Sequence, residues 1–192
     1  MGLVLLIMRI GVFESGMFES MKKSNVHKGN LLLLLKSKVN LIKYIGVIAI
    51  AIPVWYVMGI LITFSPEMMK SLGVTSFTPD PGKAIMFAYL GITFGDFVSG
   101  MLSQLLRSRK KVLTLFLVLT ILSVFLYFTL AVKSEFMFYG VVTIVGIATG
   151  YWAVFMSTAA ELFGTNIRAT VTTTAPNFVR GSVIFLTLGF RY

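Results

Sequence analysis

Cysteine is absent from the 192-residue chain and histidine occurs once, at His27. Without thiols there is no disulfide scaffold and no thiolate metal site. The lone histidine, set in a basic stretch, has no partner for a metal centre. Charge is scarce as well: 12% of the residues are charged, against roughly 25% in an average soluble domain. Hydrophobic residues make up 57% of the chain and its mean hydropathy is +0.90. So little polar surface cannot coat a soluble enzyme, and so much apolar surface is unlike a disordered tail. No glycine-rich phosphate loop follows a strand pattern, and the serines and threonines of the apolar stretches lack an adjacent base. No catalytic constellation results, and no cofactor or metal is expected.

What is present is a series of long apolar blocks. Five stretches reach bilayer length: residues 44–66, 84–106, 112–132, 136–160 and 169–190. As helices they extend roughly 31–38 Å, enough for a ~30 Å hydrocarbon core. The expected fold is therefore an all-α membrane protein with five spans joined by short loops, each antiparallel to the next. The chain carries 17 Lys and Arg against 7 Asp and Glu, a net charge of +10. In a soluble protein that excess would point to nucleic acid; here the bases lie between apolar blocks, so the partner is the lipid surface. Arg9, Lys22, Lys23, Lys28, Lys36, Lys38 and Lys43 precede the first span, Arg107, Arg109, Lys110 and Lys111 join the second to the third, and Arg168 follows the fourth. The opposite loops hold only Lys70, Lys83 and Lys133. By the positive-inside rule the segments 11–43, 107–111 and 161–168 are cytoplasmic, and the expected location is the plasma membrane.

Three local features refine this frame. Residues 1–10 are apolar but too short to cross, and read as the end of a preceding span; they lack the basic start and cleavage site of a signal peptide. Residues 30–43 mix lysines with an apolar run, as an interfacial helix does. Residues 67–82 form an external loop rich in Pro and Gly, and Pro53 predicts a kink in the first span.

Small residues recur every four positions in the second span (Gly91, Gly95, Ser99, Ser103), and Gly146 and Gly150 do so in the fourth, with Tyr139 and Thr143 extending that face. Such spacing brings helix backbones close. The third span is almost wholly Leu, Val, Ile and Phe, and is expected to face lipid.

Two charges lie inside spans. Asp96 is about 11 residues from Arg107 and Arg180 about 12 from Arg168, so both sit ~16–18 Å along their helices. At roughly 2.5–3.5 kcal/mol for a charge at the centre of a span, such residues face a cavity or a partner. Tyr89, Thr93, Asp96, Gly100 and Ser103 share one helical stripe, and Thr173, Asn177 and Arg180 another. The candidate solute site is therefore Asp96, Arg180, Asn177, Thr93 and Tyr89. Arg180 would bind an anionic group, and Asp96 would carry a coupling proton or neutralise Arg180. The bland alternative is a structural ion pair.

Three segments resemble the major facilitator superfamily of secondary transporters. Arg9-Ile-Gly-Val-Phe-Glu-Ser-Gly-Met-Phe18 is similar to the Arg…Pro-Glu-Ser-Pro segment after the sixth helix of sugar and metabolite porters, without its prolines. Gly100-Met-Leu-Ser-Gln-Leu-Leu-Arg-Ser-Arg-Lys-Lys111 resembles the Gly-x-x-x-Asp-Arg-x-Gly-Arg-Arg loop between helices eight and nine, with Gln104 at the acidic position. Ala160-Glu-Leu-Phe-Gly-Thr-Asn-Ile-Arg-Ala169 is similar to the Glu-x-Phe-Pro-x-x-x-Arg segment between helices ten and eleven, with Gly164 for proline. The resemblance implies that the five spans are helices seven to eleven of a twelve-helix transporter, an incomplete C-terminal bundle whose partner is the missing N-terminal half. It implies secondary transport of a small polar solute, an organic anion or a sugar, with protons as the candidate coupling ion. Gly100, Gln104, Arg107, Arg109, Glu161 and Arg168 would then form a cytoplasmic gate. A fragment of this kind would not transport alone. The competing reading is a free-standing multi-span protein that oligomerises as a channel or assembly factor.

Overall fold

A computed structural model describes residue 34 and residues 36–191. Among the described residues the chain is helical throughout and contains no strand. Four of its helices, Lys38–Ile62, Pro81–Leu105, Arg109–Leu130 and Glu135–Glu161, are long and apolar enough to cross a membrane. The first motif segment, the apolar residues 1–10 and most of the segment 11–43 lie outside the described residues.

Helix α1 spans Lys38–Tyr56 because the Ser37 hydroxyl caps it, accepting from the Asn40 N–H at 3.5 Å. The first span thus begins earlier than the apolar run, and Lys38 and Lys43 belong to it. Residues 38–43 are therefore the start of a span and do not form a separate interfacial helix. Pro53 lies inside α1, and the chain then winds as a π-helix over Val57–Ile62. The wider turn is visible in the Thr63 N–H, which donates to the Met58 carbonyl five residues back. In hydrocarbon every loosened carbonyl needs a donor from the protein. Three carbonyls of this irregular stretch accept side-chain hydroxyls: Ile50 from Tyr151 at 2.8 Å, Met58 from Thr63 at 2.7 Å and Leu61 from Tyr127 at 2.8 Å. The expected kink is in effect a proline followed by a π-segment.

The loop expected over 67–82 begins with a short helix, α2, Ser65–Ser71. Gly73 ends it in the left-handed region at φ 77°, a conformation that side chains with a Cβ seldom adopt. Helix α3, Pro81–Leu105, starts at Asp80, whose carboxylate accepts from the Lys83 N–H at 2.8 Å. Helix α4, Arg109–Leu130, and helix α5, Glu135–Thr149, are each capped by serine, Ser108 and Ser134. The fourth span is not one helix. It breaks at Gly150–Tyr151 and resumes as α6, Trp152–Glu161. Helix α7, Thr165–Arg191, contains Pro176. The fifth expected span is helical and of spanning length, but it is not among the four sufficiently apolar helices. Arg168, Arg180, Asn177 and the threonines at 170, 172, 173 and 174 lower its hydropathy.

The most extensive helix pair is α3 with α5. The two small-residue stripes meet here. A Cβ on Gly91 would strike the Thr143 carbonyl oxygen, one on Gly95 that of Ile147, and one on Gly146 that of Ala88. One on Gly150 would come within 2.6 Å of the Gly95 Cα. Only hydrogen fits at these four positions, so the stripes are a packing seam.

The expectation for the third span is corrected in degree. Helix α4 buries Phe116, Thr120, Ser123 and Tyr127 on one face while exposing Ile121, Leu122 and Phe125 on another. Of the most apolar stretch of α3 only 22% is buried, against 33% for α4. Helix α3 buries its small-residue edge and turns Met86, Leu90, Phe94 and Phe97 outward. Two apolar cores result. One, around Ala51, Phe116, Phe155 and Ala175, lies toward the end bearing Arg109. The other, around Leu61, Tyr127, Phe138 and Val142, lies toward the end bearing Asp80.

Replacing Gly146 with Val should destabilise the bundle by about 2–3 kcal/mol through overpacking, read as a lowered thermal midpoint in detergent. Gly140→Ala, where an added Cβ meets nothing within 4 Å, should be neutral or stabilise by up to ~1 kcal/mol. Equal effects from the two substitutions would refute the seam.

Candidate functional site

The break at Gly150–Tyr151 leaves backbone groups without helical partners in the middle of a candidate span. Each carbonyl at the end of α5 finds a donor. Thr149 Oγ1 donates to Gly146 at 3.1 Å, the Gly150 N–H to Ile147 at 3.1 Å, Thr120 Oγ1 to Ala148 at 2.9 Å and the Tyr151 N–H to Thr149 at 3.0 Å. On the other side the first N–H groups of α6 need acceptors. Tyr151 sits at the cap position and its side chain provides none. Asp96 of α3 does so instead: its Oδ1 accepts from the Ala153 N–H at 3.1 Å. A carboxylate at a helix start is matched to the free donors and to the positive end of the helix dipole. The Gly95–Gly150 contact is what lets α3 approach near enough for a short aspartate to reach.

Directly beside this cap is a cavity of about 280 Å³ lined by Val54, Trp55, Met58, Tyr89, Ile92, Asp96, Thr149, Trp152 and Arg180. Both charges that the sequence places within apolar stretches therefore face one space. Arg180 places its guanidinium over the Trp55 ring, 5.5 Å from the centroid, a cation–π arrangement. Trp55 and Trp152 meet edge to face at 6.3 Å. Among the described residues no salt bridge joins Asp96 to Arg180. The neutralising pair is therefore not formed, and neither is the structural ion pair weighed against it.

Of the five expected solute-site residues, Tyr89, Asp96 and Arg180 line the cavity. Thr93 does not: it is exposed, and its hydroxyl donates to the Tyr89 carbonyl of its own helix at 2.9 Å. Asn177 donates to Thr173 at 3.0 Å and lines a separate, open apolar groove of about 660 Å³ with Ile48, Phe178 and Phe185. Helical spacing put Asn177 and Arg180 on one stripe, but α7 crosses α1 so that one borders the groove and the other the cavity. Sequence reasoning missed Trp55 and Trp152. They are the chain's only tryptophans and both lie well inside spans, whereas membrane tryptophans usually gather at the interface; that misplacement was the available signal.

Of the six gate candidates the structure brings two together. Arg109, at the start of α4, pairs with Glu161, at the end of α6, at 2.6 Å. The Glu161 side chain is 60% exposed, so the pair adds at most about 1 kcal/mol to stability. Arg107 ends α3 with a left-handed φ of 46°. Gly100 is half-buried, with no atom within 4 Å of where a Cβ would stand. Gln104 is exposed, and its carbonyl accepts from the Arg107 N–H at 3.3 Å. Arg168 is half-buried, and its Nε has no partner among the described residues.

No protein-family model matches the chain, nor does any curated protein or solved structure.

Asp96→Ala should cost about 1–2 kcal/mol by uncapping α6, whereas Asp96→Asn, which keeps an oxygen for the Ala153 N–H, should stay within about 0.5 kcal/mol of the parent. Thermal unfolding followed by circular dichroism separates the two; an unchanged alanine variant would remove the cap from the account.

Proposed function

We propose that this chain belongs to a secondary active transporter of the major facilitator type, acting in the plasma membrane together with a second half-bundle. Its solute site is the cavity between Trp55, Asp96, Trp152 and Arg180. The observation that carries the reading is that two opposite intramembrane charges border one ligand-sized space without pairing. Charges at such depth are costly and rarely idle. The broken fourth span adds support, since transporter sites are commonly built where a helix is discontinuous. Helix α7 serves as the fifth span in this reading, its polar face turned to the solute path rather than to lipid.

In this reading Arg180 holds an anionic group on a small polar solute, an organic acid in the first instance and a sugar in the second. The indoles exclude water and contact the apolar part. Asp96 sets the position of α6 and balances the charge of Arg180 across the cavity. At the cytoplasmic end Arg109 and Glu161 form one contact of a gate that breaks when the bundle rocks, and Arg107 and Arg168 supply neighbouring positive charge. Such an exposed pair is well suited to the task, because a weak contact can be broken at little cost.

Because both tryptophans of the chain border the cavity, tryptophan emission of the purified protein reports on its occupancy. Small organic acids should change that emission saturably, and Arg180→Gln should weaken their binding at least tenfold, about 1.4 kcal/mol. Equal affinity in the variant would end the proposed role of Arg180. The orientation has its own test. In this cysteine-free background, Lys70→Cys and Lys110→Cys should react with an impermeant thiol reagent from opposite sides of the membrane, Lys110→Cys from the cytoplasm. Labelling from one side would overturn the topology.

A further inference from the structure

We infer that the ligand of this cavity is a zwitterion: a small molecule of amino-acid type, with a carboxylate, an ammonium group and a planar apolar side group. The inference rests on the reading of the cavity as a solute site and narrows what that site takes.

The first argument is charge balance. Arg180 and Asp96 border the same space, and their formal charges cancel. The other lining residues are uncharged, and Val54, Met58 and Ile92 are hydrocarbon. A net anion bound at Arg180 would bring an uncompensated negative charge close to Asp96, and a net cation would do the same beside Arg180. A zwitterion leaves the site neutral, and each of its charged ends meets an opposite charge.

The second argument is the availability of the two groups. No ion pair joins them among the described residues, so a ligand need not first separate them. Asp96 serves the first amides of α6, Ala153 through Oδ1 at 3.1 Å and Trp152 beside it; a carboxylate offers about four acceptor sites, so capacity is left for an ammonium. The Arg180 guanidinium lies over Trp55, a contact that engages its face; its N–H donors lie in the guanidinium plane, where a carboxylate binds.

The third argument is shape. About 280 Å³ is near the lower limit of small-molecule pockets, roughly 300–1,000 Å³, which suits a molecule of amino-acid size. Trp55 and Trp152 stand edge to face with their rings inclined at 73°, an aromatic corner against which a flat apolar group packs.

The test titrates the purified chain in detergent with three probes of one skeleton: phenylalanine, 3-phenylpropionate, which lacks the ammonium, and phenethylamine, which lacks the carboxylate. Glucose is the fourth probe. Tryptophan emission is the readout. Phenylalanine should bind at least tenfold more tightly than either truncated probe. Asp96→Asn keeps the oxygen that caps α6, and should weaken phenylalanine at least tenfold while leaving 3-phenylpropionate unchanged or tighter. If 3-phenylpropionate binds the unaltered protein as tightly as phenylalanine, the zwitterion assignment falls and the anion-binding role of Arg180 stands. If phenethylamine does so, the zwitterion assignment falls and the role of Arg180 falls with it. If glucose alone binds, the zwitterion assignment and the anion-binding role of Arg180 both fall and the site is one for sugars; if no probe changes the emission, the assignment and the solute site itself fall.

Discussion

The break in the fourth span is held on its α6 side by one hydrogen bond between neighbouring helices, from the Ala153 N–H to the Asp96 carboxylate. A membrane-spanning helix that stops midway leaves donors and acceptors that no water can satisfy. The chain tolerates the stop at Gly150–Tyr151 because α4 and α3 bring partners to it, Thr120 for a carbonyl and Asp96 for an amide. An aspartate is short, so it can serve only if the α3 backbone lies against α5, and the Gly91–Gly95 and Gly146–Gly150 seam achieves that approach. Seam, break and cap are one structural unit: filling the seam would withdraw the cap, and losing the cap would leave the break unsupported.

The same logic governs the first span. Pro53 and the π-turn that follows loosen the hydrogen-bond ladder of the helix on the other side of the cavity. Tyr151 at the break donates to the Ile50 carbonyl and Tyr127 of α4 to that of Leu61. Two irregular helices therefore face each other over the cavity, each maintained by side chains from neighbouring helices. The irregular backbone is packed into the two apolar cores, the π-segment through Val57, Leu61 and Ile62 and the break through Tyr151. The proposed solute site lies where the bundle is least able to close on itself, and Arg180 and Asp96 are both available there because neither is consumed by the other.

Much of this was legible in the sequence. Apolar blocks between basic loops identified the helices, since helix length and hydropathy are local properties. The four-residue spacing of glycine predicted close approach, and the matching of the α3 and α5 stripes follows from both having it. The depth of Asp96 and Arg180 along their helices indicated a shared level. Other features were not legible. Nothing local marks Gly150–Tyr151 as a break, because glycine in a membrane helix is common and the flanking residues are as apolar as the rest. The stripe containing Tyr89, Thr93 and Asp96 was identified by angle alone, yet only two of those three reach the cavity, because the crossing angle of α3 decides which part of a stripe faces inward. Asn177 was placed beside Arg180 for the same reason and borders a different groove. Trp55 and Trp152 pass in a sequence as two more hydrophobic residues.

The sequence by itself determined that the chain is a series of long apolar helices, although it put the spans at five where four of the helices are apolar enough to cross a membrane, and that two opposite charges lie within its apolar stretches. Those properties depend on residue type and spacing along one chain segment. The tertiary structure alone decided that Asp96 serves the Ala153 amide rather than Arg180, that Trp55 lies under the Arg180 guanidinium, and that Arg109 rather than Arg107 or Arg168 meets Glu161. Each of these is a choice among partners of equal chemical merit. A carboxylate accepts from an amide or a guanidinium alike, and only the distance of approach between helices, fixed here by hydrogen atoms at four glycines, determines which one it reaches.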